Sequence, residues 1–336
     1  MISMRTMVSI AVVMAILVAL VPTVALAAED FAGGSFTLGN DAPENVTVAL
    51  TDTGDVAATA MDPQVEYKVK VTVTDNNTLD DLDTITVTIY YDADGTYNTG
   101  DRPGAGNVQT ASILTWTNAD PDTWVMDAVS EAGSWSIGTC TAPSMTDSTG
   151  TFVFLFTPGK VAKETTGSAE WHIYAVAYDG TATTDGYQED RTMNWYGEVT
   201  IDLTTIDFGS VALGVVDDPS PNFVLTNIAN GNYKLNLKAD STWTGGSTAW
   251  QLSLDTIDEN PGDTELALEA DDDATEADAQ LVTDAYVLFV GHGSDAGPTD
   301  EDGDDVSTNT LWLSLGSTGI VADAYSGTIY YQISND

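Results

Sequence analysis

Cations and thiols are almost missing from this chain: 9 Lys+Arg stand against 52 Asp+Glu, and 336 residues hold two histidines and one cysteine. A formal charge of −43 repels any phosphate backbone or anionic membrane surface, which sets nucleic acid aside as a partner. The single cysteine, Cys140, permits no disulfide within the chain and reads as a small hydrophobe. One Cys and two His also disfavour zinc. Proton-shuttling groups are equally scarce. His172, in WHIYAVAYD, reads as an imidazole on a strand surface, while His292 neighbours Ser294 and Asp295 in VGHGSDAG. Adjacent positions of one loop do not aim at each other, and no G-x-S-x-G elbow exists. Among so many acids no carboxylate pair stands out for glycoside hydrolysis. The expectation is a protein that is not an enzyme, with no catalytic residue and no organic cofactor.

A capped apolar stripe of 3.6-residue period is also lacking, apart from one apolar run at the N-terminus. There MISMRTMVSIAVVMAILVALVPTVALAAED carries one early cation, Arg5, an apolar run over Met7–Val21, Pro22, and Ala25 and Ala27 in an A-x-A arrangement. This is the pattern of a secretory signal peptide, with cleavage expected after Ala27 or Ala28. Residues 1–28 are therefore assigned to the signal, and the mature chain is expected outside the cell.

What is abundant is the strand signal. In YKVKVTVTD, Tyr67, Val69, Val71 and Val73 share one face and Lys68, Lys70, Thr72 and Thr74 the other. DTITVTIYY repeats the alternation, and ASILTWT, TFVFLFT and WHIYAVAYD follow between polar clusters. Beyond residue 196 come EVTIDL, NFVLTNI, YKLNLKAD, AWQLSLD, AYVLFVG, LWLSLG and SGTIYYQIS. Asp outnumbers Glu by 39 to 13, which favours turns over helix interiors. The expected fold is all-β: two tandem antiparallel β-sandwiches, residues 29–195 and 196–336, with the turn-rich TATTDGYQEDRT before the boundary. LALEADDDATEADAQLVTD reads as an acidic loop with a helical turn.

Acidic loops are the candidate metal sites. YYDADGTYNTGD fails the EF-hand pattern at its glycine and terminal acid, but Asp92, Asp94, Asn98 and Asp101 could surround one Ca2+, with Gly95 and Gly100 taking positive φ. A weaker set is Asp300, Asp302, Asp304 and Asp305 in PTDEDGDD, with DDDATEAD (271–278) as its companion. Ca2+ is the only cofactor suggested. Asn45 and Asn76 head N-x-[ST] sequons. Of the eight tryptophans, Trp116, Trp124, Trp135, Trp195, Trp243 and Trp250 fall at strand ends or in loops, where exposed rings could stack on sugars.

VTIDLTTIDFGSVALG, FVLTNIANGNYKLNLKAD and the closing YSGTIYYQISND resemble the immunoglobulin-like β-sandwich modules of exported archaeal and bacterial cell-envelope proteins, including surface-layer and surface-filament subunits. VKVTVTDNNTLDDLDTITVTIYYDADG is similar to the same class. The resemblance implies a fold and an address, and carries over no catalytic residue. The expected role is a structural or assembly protein of the cell surface, in a surface layer, sheath or filament. Its partners would be copies of itself or other envelope proteins. Alternatives are a carbohydrate-binding adhesin with glycan partners, a virion surface protein and a secreted hydrolase.

Overall fold

In a computed structural model, which describes residues 34–36, 39–95, 108–128, 135–289, 299 and 305–335, the chain is all-β and sandwich-like. The first half holds β1 (Glu44–Asp52), β2 (Ala60–Met61), β3 (Tyr67–Thr74), β4 (Thr84–Asp92), β5 (Val108–Thr117), β6 (Thr123–Ala128), β7 (Ser136–Ile137), β8 (Thr149–Thr157), β9 (Glu170–Tyr178) and β10 (Thr183–Met193). The second holds β11 (Gly197–Ile201), β12 (Asp218–Pro219), β13 (Phe223–Ala229), β14 (Tyr233–Ala239), β15 (Thr242–Gly245), β16 (Gln251–Leu254), β17 (Glu265–Asp271), β18 (Gln280–Leu281), β19 (Val287–Leu288), β20 (Asp305–Leu315), β21 (Tyr325–Ser326) and β22 (Ile329–Asn335). Among the described residues the only helical pieces are two single 3-10 turns, Leu79–Asp81 and Glu276–Asp278.

The alternation of β3 becomes burial directly. Tyr67, Val69, Val71 and Val73 point inward, and the antiparallel register sets Tyr67, Val69 and Val71 opposite Phe156, Phe154 and Phe152 of β8. Facing this sheet, of order β1-β3-β8-β7, lies a second of order β2-β10-β9-β4-β5-β6. From the second sheet Ile85, Val87 and Ile89 of β4, Ile173 and Ala175 of β9, and Leu114 and Trp116 of β5 enter the same core. Trp116 meets Phe152 across the layer at 4.6 Å between ring centroids, and Trp135 stacks on Phe156 at 5.9 Å. Each fully buried aliphatic or aromatic side chain here contributes about 1.5–3 kcal/mol relative to exposure.

TATTDGYQEDRT, expected as a turn-rich connection, is largely strand: β10 pairs with β9 over Thr183–Arg191. Its backbone supplies the ladder while few of its side chains are apolar, so the hydrophobic pattern is faint. β1 crosses it closely, and Leu50 N–H donates to the Gln188 side chain at 2.6 Å. A Cβ on Gly186 would lie 2.2 Å from the Val46 carbonyl oxygen, so only glycine fits there.

The second core is built by Phe223 and Leu225 of β13, Leu252 and Leu254 of β16, Leu266, Leu268 and Ala270 of β17, and Leu311 and Leu313 of β20, all in one sheet, with Leu235 and Leu237 of β14 opposite. LALEAD, read as part of a loop, is strand β17, and the expected helical turn is the 3-10 turn at Glu276. β14 is flanked by β19 and β22 in a three-stranded sheet, where β22 pairs with it over all seven residues, from Ile329 to Asn335.

The two cores share no residue. Between them Asn230, fully buried, donates from Nδ2 to the carbonyls of Ala162 and Asn194 at 2.7 and 2.8 Å. Its Oδ1 accepts from Tyr196 N–H at 2.7 Å. Nearby Lys160 and the Tyr196 hydroxyl both reach Glu198 Oε2 at 2.7 Å.

Candidate functional site

The residues singled out in the sequence fall in different settings. Asp92 ends β4, fully buried, with Oδ2 3.5 Å from His172 Nε2 and Oδ1 accepting from Asp94 N–H at 3.1 Å. His172 is therefore no strand-surface imidazole: it is fully buried against Tyr90, 5.3 Å between centroids. Burial pulls its pKa down, against the opposing influence of Asp92. Asp94 is exposed, and Gly95 has φ 63 as expected, where a Cβ would strike the Ser168 carbonyl. Asn98, Gly100, Asp101, His292, Asp300, Asp302 and Asp304 lie outside the described residues, and Asp305 opens β20 opposite Asn227. Asn45 and Asn76 are exposed, and the Asn76 amide donates to Asp41 at 3.0 Å. Cys140 is half-buried against the first core.

Two features of the second half go beyond that reading. One is a cleft of about 710 Å3 whose walls include Leu252 and Leu315 of the large sheet, Ile329 and Tyr331 of β22, and Leu203 and Phe208 of the strandless stretch after β11. Such a volume is what small-molecule sites commonly offer. Most of the lining is apolar, with Asp207 and Asp323 as its acids, and two buried polar atoms in it, Trp243 Nε1 and Tyr331 Oη, make no hydrogen bond among the described residues. Burial pushes the Tyr331 hydroxyl well above its ordinary pKa.

The other is a cluster of carboxylates on the outer face of the large sheet. Strand alternation sends Leu266, Leu268 and Ala270 of β17 to the core, so Ala267, Glu269 and Asp271 point away from it. They are buried all the same. Glu269 stands opposite Trp312 of β20, and on the far edge of β20 the stretch leading into β12 runs antiparallel, with Asp218 opposite Leu313. One residue earlier Asp217 takes the left-handed conformation, φ 55, which Asp tolerates. Its N–H donates to Ser314 Oγ at 3.0 Å, and that hydroxyl lies 3.3 Å from Asp217 Oδ1. Beyond β17 the 3-10 turn contributes Glu276. One oxygen each from Asp217, Glu269 and Glu276 lie within 4.8 Å of one another.

Glu269 is 7% exposed, and its Oε2 has no hydrogen-bond partner among the described residues. Burial first, then the charges of Glu259, Asp217 and Glu276, push its pKa up to about 7. Asp271, two residues along the same face and 3% exposed, is pushed up to about 6, chiefly by burial. DDDATEAD drew attention to Glu276 by composition, but nothing in the sequence tied it to Asp217 or Glu269. The signal available was the alternation of Leu266, Leu268 and Ala270, which leaves Glu269 on a sheet face rather than in a loop.

No family model matches the chain, and no curated protein matches it.

Proposed function

We propose that the protein is an exported, non-catalytic structural subunit of the cell surface, of the surface-layer, sheath or filament kind, whose partners are copies of itself or other envelope proteins. The observation that carries this reading is the apolar cleft bordered by β22, whose outer edge no described strand pairs. An edge strand beside apolar wall is the surface on which another chain adds a strand. Copies of a chain this acidic, with 52 Asp+Glu against 9 Lys+Arg over its full length, repel one another, so contact between them falls to surface with little charge. Most of the cleft lining is of that kind, Asp207 and Asp323 being its acids, and so are residues 31–40, FAGGSFTLGN, which carry no charged side chain. Phe36 within it is 92% exposed. We assign that segment of a second copy as the occupant of the cleft.

The tryptophans support a structural role over a glycan platform. Trp116, Trp135, Trp171, Trp243 and Trp312 are buried, Trp124 and Trp195 half-buried, and Trp250 alone is exposed. The buried His172 supports the non-catalytic part, and the leader pattern supports export.

Sedimentation velocity on residues 29–336 tests the reading, beside a chain lacking 29–40 and beside Leu213→Asp. Leu213, at the cleft and 54% exposed, can take a charge with little cost to the fold. The full mature chain is expected to self-associate and both variants to sediment as monomers. Assemblies of unchanged size from both variants would overturn it.

A further inference from the structure

We propose that Asp217, Glu269 and Glu276 form a calcium site that ties together three segments on the outer face of the large sheet. Three stretches of chain arrive there independently: the approach to β12, the middle of β17, and the 3-10 turn after it. Exposed acids often gather without an ion, but Glu269 is not exposed. It is more than nine-tenths buried, its Oε2 meets no donor among the described residues, and one of its carboxylate oxygens belongs to a set all within 4.8 Å. A buried carboxylate in that position either stays protonated or finds a cation. The charges acting most on Glu269 belong to Glu259, Asp217 and Glu276, all acidic, so the chain supplies no counter-charge among them.

The donor set selects the ion. Only carboxylate oxygens converge, with no His or Cys among them, which disfavours zinc and copper. Ca2+ accepts six to eight oxygens in flexible geometry, so three carboxylates, some bidentate, with waters or backbone carbonyls suffice. Mg2+ demands a near-octahedral cage and keeps its waters. A dication also offsets the mutual repulsion of three negative groups. The consequence is mechanical: the ion pins the stretch beside β20 and the turn beside β17 to one face, bracing the sheet whose other face lines the apolar cleft. This site is independent of self-association, and its test leaves assembly aside.

Trp312 lies directly opposite Glu269 in the ladder, within the distance over which tryptophan sensitises bound terbium. The chelator-stripped mature chain is titrated with Tb3+, the emission is then displaced with Ca2+, and the thermal midpoint is recorded with and without Ca2+ at a dilution where the chain is monomeric. Glu269→Gln, Asp217→Asn and Glu276→Gln are each expected to weaken binding at least about tenfold and to abolish the calcium-dependent rise in midpoint. Asp127→Asn, at an exposed position of β6 in the first half, is expected to leave both unchanged. If Glu269→Gln does not fold, Asp217→Asn, at a half-buried position, gives the same readout. The proposal is overturned if the native chain binds neither ion, or if Glu269→Gln and Asp217→Asn keep the affinity and midpoint gain of the native chain.

Discussion

The two halves obey one alternation rule and end in different states. In the first, aromatic side chains from both sheets close the interior: Trp116 on Phe152, Trp124 on Phe154, Trp135 between Phe156 and Trp171. The void beside Trp135 and Trp171 holds about 10 Å3, room for no more than one water. In the second, aliphatic side chains dominate, the strandless stretch after β11 forms one wall, and a cleft of about 710 Å3 stays open beside β22. Both halves bury carboxylates, Asp75, Asp92 and Asp179 in the first and Glu269 and Asp271 in the second, but among the described residues only in the second does a buried one converge with two others, Asp217 and Glu276. A closed core yields stability alone, whereas an open cleft and converging acids are costly unless something is bound.

That contrast can be broken by substitution. Trp116→Ala, in the closed core, is expected to lower stability by about 3–5 kcal/mol, read from urea unfolding. Leu252→Ala, on the cleft wall, is expected at the low end for a buried leucine, about 2 kcal/mol, because it enlarges an existing space rather than opening a new one. Equal losses at the two positions would erase the distinction between the halves.

Between these sites lies the joint. Asn230→Ala leaves the Ala162 and Asn194 carbonyls and the Tyr196 N–H without their side-chain partner, a loss of about 1–3 kcal/mol. Calorimetry is expected to resolve two transitions in that variant where the native chain shows closer coupling. The smallest effect belongs to Glu198. Hydrogen bonds from Lys160 and Tyr196 hold its pKa below the ordinary 4.5, so its contribution is complete above pH 4.5 and fades as pH falls through the lowered folded value. Glu198 is about one-third exposed, and screening limits the effect to less than about 1 kcal/mol. Glu198→Gln is expected to flatten that part of the stability-against-pH curve.

Much of the fold was legible because period-two alternation in β3, β13 and β14 maps onto burial one residue at a time, while β4 follows it only as far as Val87 and then buries both faces, Thr88 and Tyr90 included. β10 was not, since TTDGYQEDRTM is held by backbone pairing and by the close approach of β1 at Gly186. β17 was masked by Glu, Ala and Leu, good helix formers running into an acidic tract. The carboxylate cluster was illegible for another reason. Asp217, Glu269 and Glu276 meet only because the ladders put Asp218 opposite Leu313 and Glu269 opposite Trp312, and no sequence spacing encodes two registers at once. Composition pointed to Asp92 and Asp94, but the structure places Asp92 in the interior beside His172.

Amide hydrogen exchange along β22 tests most directly the claim that the open side of the second half receives another chain. In dilute monomer, the β22 amides turned away from β14 are expected to exchange quickly while those bonded to β14 are protected. At assembling concentrations both sets are expected to be protected. Outward amides that exchange equally fast in monomer and assembly would contradict the account.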